Sequence, residues 1–159
     1  MVSLERKARR MVVTTSRILR RRTIELARVL LVDDDPTSRL TLQTVLEAGG
    51  YHVDAAASAA EAVEKLQTRE YELVLSDLQM ESPQAGLKVL AQARMMDYKP
   101  ATALITTYRN SRQRKGPSSR SQAVLIKSED LPELLSKVAE LISERATRRV
   151  ERELRHAHA

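Results

Sequence analysis

Val29-Leu30-Leu31-Val32-Asp33-Asp34-Asp35-Pro36 is the stretch on which the fold turns. Four apolar residues in a row, cut off by three carboxylates and a proline, mark a strand buried on both faces, as strands of parallel sheets are. Downstream, Thr37–Ala48 reads as a helix carrying Leu40, Leu42, Val45 and Leu46, stopped by Gly49-Gly50. Tyr51–Ala57 is a second, weaker strand. Ser58, with Glu61 three residues on, makes a capping box for a helix running to about Thr68. Tyr71–Ser76, centred on Leu73-Val74-Leu75, is a third strand and ends at Asp77. Gly86–Met96 is a helix, and Ala101–Thr106 a fourth strand. Arg109–Arg120 is polar and basic and is broken by Gly116-Pro117. Ala123–Ile126 is a fifth strand ending at Lys127. Asp130 caps a last helix, with Pro132 in its first turn and Glu133 at the capping-box position. Leu131, Leu134, Leu135, Val138, Leu141 and Ile142 form its core stripe, and Ala146, Val150 and Leu154 carry it on as a protruding extension. Five strand–helix alternations predict an α/β fold: a five-stranded parallel sheet, doubly wound by helices on both faces, with an extended C-terminal helix.

Composition divides the 159 residues into a basic arm over 1–26, a globular domain over 27–142 and a helical extension over 143–159. No apolar run approaches the roughly 20 residues of a membrane span. The first 30 residues lack the apolar centre of a secretory signal, so no membrane span and a cytoplasmic setting are expected. Cysteine is absent, which excludes disulfides and thiolate metal sites. Two of the three histidines sit at the extreme C-terminus, which argues against a histidine-built metal site. The net charge of +6 is uneven. Residues 1–28 hold nine Lys/Arg against two Glu, residues 29–127 twelve of each sign, and residues 128–159 six basic against seven acidic. The basic excess therefore belongs to the arm, and the central domain is not a basic nucleic-acid binder by composition.

Open parallel sheets bind ligands at the carboxyl ends of their strands. The residues at those ends here are Asp33, Asp34 and Asp35 after the first strand, Asp77 after the third, Thr106 after the fourth and Lys127 after the fifth. Carboxylates gathered at one edge repel unless something neutralises them. Oxygen ligands of this kind suit Mg²⁺, which keeps several waters and takes one or two carboxylates. A metal beside a carboxylate, an ammonium and a hydroxyl is what phosphoryl transfer needs, because that chemistry rests on positioning and charge neutralisation.

The motifs VLLVDDD, LVLSDLQM, ALITT and LIK, in this order and at this spacing, resemble the receiver domain of two-component response regulators, the CheY-like superfamily, over about Arg28–Ile142. The resemblance implies a flavodoxin-like (βα)5 topology. It implies that Asp77 is the phosphoryl acceptor and that Asp33 and Asp34 hold Mg²⁺, Asp34 the more directly. Asp77 itself and the backbone carbonyl of Gln79 would complete the metal site. Lys127 would pair with the phosphoryl oxygens, and Thr106 would be the hydroxyl that moves toward them. The implied partners are a sensor histidine kinase or phosphotransfer protein and a downstream protein target, with room for a homodimer. No DNA-binding domain is expected after Ile142. Such a chain is a signalling phosphoprotein rather than an enzyme, acting as a stand-alone receiver in a phosphorelay.

Several positions depart from the family's pattern. Met80-Glu81 stands for its Met-Pro, with Pro83 two residues later, and the glycine opening the third helix comes one residue late, at Gly86. Ser128 replaces the proline after the lysine, and Val124 replaces an aromatic three residues before it. These bear on how phosphorylation is read out, which keeps open a degenerate receiver acting only as a protein-binding module. A second alternative is a haloacid-dehalogenase-type phosphatase, in which Asp33-x-Asp35-x-Thr37 would supply nucleophile Asp33 and acid/base Asp35. That reading leaves Asp77 without a role. A flavin carrier shares the topology, but no phosphate-cradling loop follows the first strand and aromatics are only 3% of the chain.

Overall fold

The computed structural model describes residues 27–106, 124–127 and 129–158. The basic arm 1–26, the stretch 107–123, Ser128 and Ala159, the last residue of the expected extension, lie outside the described residues. Five strands are present: β1 (Arg28–Val32), β2 (His52–Ala56), β3 (Leu73–Asp77), β4 (Ala101–Thr106) and β5 (Val124–Lys127). The described helices are α1 (Pro36–Ala48), α2 (Ala59–Thr68), α3 (Ala85–Met95) and α4 (Leu131–Ala157). The strands form one parallel sheet in the order β2-β1-β3-β4-β5. This is the doubly wound α/β architecture expected from the alternation, with its long C-terminal helix.

Strand side chains alternate between the two faces of the sheet, which sorts the apolar runs into two cores. Val29 and Leu31 of β1, with Leu73 and Leu75 of β3, pack under Leu42 and Leu46 of α1 and Leu134, Val138 and Leu141 of α4. Leu30, Val32 and Val74 face the other way, against Ala62 and Leu66 of α2 and Val89, Leu90 and Ala93 of α3. Each fully buried leucine or valine is worth about 1.5–3 kcal/mol relative to exposure. The middle strands β1 and β3, buried on both faces, therefore hold the sheet together, and their continuous apolar runs are the sequence's record of it.

The helix ends follow local chemistry. Asp35 caps α1, its carboxylate accepting from Ser38 N at 2.9 Å. Ser58 Oγ accepts from Glu61 N at 3.2 Å, and Asp130 from Glu133 N at 3.1 Å. After α1 the chain turns at Gly50, whose φ of 98° lies in the left-handed region that favours glycine.

Leu40 and Leu131, the second of them expected in the core, lie outside it. Leu40 is 66% exposed, because Leu42 and Leu46 set the buried face of α1 and residue 40 falls on its far side. Leu131 is 38% exposed, since it opens α4 before the helix reaches the sheet; the buried stripe starts at Leu134. Helix α4 runs without a break through residues 142–143. Its last buried side chain is Arg145, whose Nη2 donates to Tyr98 O at 2.7 Å and Nε to Lys99 O at 3.0 Å. Lys99 carries a φ of 43°, so this guanidinium ties down a strained turn between α3 and β4. No helix among the described residues is long and apolar enough to cross a membrane.

Candidate functional site

The parallel registers bring the strand ends into one row. Val32 pairs with Ser76, Asp77 with Ile105, and Thr106 with Lys127. The residue after β1 and the last residues of β3, β4 and β5 therefore share the carboxyl edge of the sheet, where open parallel sheets present their sites.

The three consecutive aspartates divide their work. Asp33 is buried, its N–H donating to Ala56 O at 3.0 Å and its Oδ1 accepting from Asp35 N at 3.0 Å. Arg39 Nη1 fixes the same turn by donating to Asp33 O at 2.8 Å. Asp34 is exposed at the mouth of the site, while Asp35 is taken up as the α1 cap. The last of these weakens the phosphatase reading, which needs Asp35 as an acid/base. Asp77, half-buried, closes β3 and accepts at Oδ1 from Gln79 N at 3.2 Å. Carboxylate oxygens of Asp33, Asp34 and Asp77 lie within 4.8 Å of one another.

This crowding shows in the acidities. Burial chiefly, with the charges of Asp33 and Asp34, pushes Asp77 up to about 6, against the lowering effect of the Gln79 amide. Asp34 is raised too, first by partial burial, then by Asp33 and Glu81. Thr106, buried, ends β4, and Lys127, exposed, ends β5. The structure thus gathers Asp33, Asp34 and Asp77 into one cluster and sets Thr106 and Lys127 on the same edge. The contact it records for Gln79 runs through its amide.

A pH dependence follows. The folded state holds the Asp77 proton more tightly than the unfolded chain, whose ordinary value is 3.8. The stability this carboxyl contributes is therefore whole below about 3.8 and is lost as pH rises through about 6. In a chelator, Asp77→Asn should gain on the wild type in melting temperature between pH 4 and pH 7. A difference that stays flat over that range would overturn the assignment.

Two neighbours of the site were not identified from sequence as part of it. A Cβ on Gly86 would lie 2.5 Å from Asp77 O and 3.3 Å from Ser76 Oγ, so only glycine lets α3 approach the end of β3 this closely. Glu81 Oε1 accepts from Ala59 N at 3.0 Å, bridging the loop after β3 to the start of α2. Both positions stand out in the sequence as departures from the family pattern; their partners do not.

Residues 29–139 match the sequence profile of the response regulator receiver domain. The chain is 33% identical over 122 residues to a gliding motility regulatory protein of Myxococcus xanthus, an overlap covering 73% of this chain. It spans only 15% of that relative's length. The fold superposes on a CheY-like receiver domain protein of Methanospirillum hungatei with a TM-score of 0.63 at 23% identity, covering 78% of this chain and 99% of the other. A response regulator protein, TrrA of Thermotoga maritima, solved in complex with Mg²⁺-BeF, is 31% identical with a TM-score of 0.58, covering 73% and 99%.

Proposed function

The chain belongs to the response regulator receiver domain family, and on that premise we propose that Asp77 accepts a phosphoryl group in two-component signalling, with Mg²⁺ held by Asp33, Asp34, Asp77 and the Gln79 carbonyl. The observation that carries this reading is the convergence of three carboxylates within 4.8 Å, one of them pushed up to about 6. Hard, anionic oxygens that destabilise one another fit a small divalent ion. The likeness to a regulator solved with Mg²⁺-BeF supports the same choice. Mg²⁺, when bound, neutralises charge on the transferring phosphoryl oxygens.

The chain's own residues supply the rest. Asp77 reacts as its carboxylate, a form that a neighbouring divalent cation would favour. An Oδ of Asp77 forms a bond to phosphorus as the bond from phosphorus to the donor atom breaks, and the donor keeps that electron pair. The product is an acyl phosphate. Lys127 pairs with the phosphoryl oxygens, and the Thr106 hydroxyl donates to one of them, coupling the event to β4 and β5. The proposed donors are a sensor histidine kinase or phosphotransfer protein. Output passes through a protein target, and the proposed setting is the cytoplasm. The intact acid cluster favours this over a purely degenerate receiver, because Val124 and Ser128 alter the readout side and leave the acceptor alone.

Incubation with acetyl phosphate and Mg²⁺, then borohydride reduction of the acyl phosphate, should place the modification on Asp77. Asp77→Asn should lose it entirely. Label on Asp33 in the wild type would sink this reading in favour of the phosphatase.

A further inference from the structure

Glu81 lies four residues beyond Asp77, in the loop joining β3 to α3, where the family usually has proline. Ala59, its partner at 3.0 Å, is the first residue of α2, and its N–H is one of those a helix cannot satisfy from within itself. Other donors at this end are met locally: Ser58 Oγ accepts from Glu61 N at 3.2 Å, and Glu61 Oε2 from Ala57 N at 2.9 Å. Ala59 turns instead to a residue 22 positions away in sequence. The partial positive charge of a helix N-terminus favours an ionised carboxylate there. Proline, the family's usual residue, offers neither the acceptor nor the charge.

We infer that Glu81 is a positioning residue of the acceptor site, clamping the loop that carries Gln79 onto the N-terminus of α2 and setting in that loop, four residues beyond Asp77, a negative charge that draws in the divalent ion. The clamp stands on the hydrogen bond alone. The effect on the ion rests on the proposed Mg²⁺ site.

Two substitutions separate the halves. Glu81→Gln keeps an oxygen for Ala59 N and removes the charge, whereas Glu81→Ala removes both. Glu81 is exposed, so neither change empties the core. Amide hydrogen exchange at Ala59 and Mg²⁺ titration followed at the Asp34 and Asp77 amides are measured on the full chain. In Glu81→Ala, exchange at Ala59 should speed up by about tenfold. In Glu81→Gln it should stay near wild type while the Kd for Mg²⁺ rises about three- to tenfold at low salt, a gap that closes as salt screens the charge. Unchanged Ala59 exchange in Glu81→Ala overturns the clamp, and an unchanged Mg²⁺ Kd in Glu81→Gln overturns the charge effect. A wild-type chain whose Asp34 and Asp77 amides ignore Mg²⁺ overturns both the proposed metal site and the charge effect, while the Ala59 exchange still decides the clamp.

Discussion

Asp34→Ala is expected to lower Mg²⁺ affinity on the order of 100-fold or more, and with it phosphorylation, while leaving the domain folded. In a chelator its melting temperature should rise rather than fall. Asp34 is exposed, and its removal relieves repulsion with Asp33 and Glu81. Asp33→Ala makes the contrast. Asp33 is buried and accepts from Asp35 N, so its loss leaves an amide without an acceptor at a cost of about 1–3 kcal/mol. Calorimetric Mg²⁺ titration and thermal melts check both variants. Retained Mg²⁺ affinity in Asp34→Ala would remove Asp34 from the site, and a lowered melting temperature would show that its charge is structurally needed.

Gly86→Ala is expected to destabilise the chain, although alanine is ordinarily the better helix residue. In an open helix interior the exchange would gain about 1 kcal/mol. Here the new Cβ would meet the Asp77 carbonyl at 2.5 Å, a backbone atom with no rotamer to yield. Overpacking of this kind costs about 1–3 kcal/mol, and at so short a distance the upper part of that range applies. The net loss should lower the melting temperature by several degrees. It should also slow the proposed phosphorylation, because α3 can clear the contact only by pushing on Asp77. Gly86→Val should be worse on both counts. A Gly86→Ala protein as stable as the wild type would mean that α3 relaxes away from β3 without resistance.

The sheet was legible because its middle strands are buried on both faces. Burial of that kind leaves unbroken runs such as Val29–Val32 and Leu73–Leu75, which no amphipathic helix produces. The acids and the lysine were legible for a related reason, since each ends such a run. The edge strand was less so: in β5 Val124 and Leu125 are both exposed, so no unbroken buried run marks it. Three features depend on residues of different elements meeting in space, and no local pattern encodes them. They are the Glu81–Ala59 bond, the approach of Gly86 to Asp77, and the burial of Arg145 against Tyr98 and Lys99. The division of labour in Asp33-Asp34-Asp35 was open for the same reason. Any of the three can cap a helix, and only the direction in which α1 leaves β1 selects Asp35.

Arg145 gives α4 a fulcrum. Inboard of it, leucines and a valine grip the sheet; outboard, residues 146–158 are exposed. From Arg145 to Ala157 the helix rises about 18 Å, so a tilt of ~10° at the sheet would carry the far end through roughly 3 Å. A shift among packed leucines too slight to open a gap becomes visible travel at Leu154. A helix of this length would turn any small rotation at the core into a displacement on the scale of a side chain, at the end farthest from the sheet.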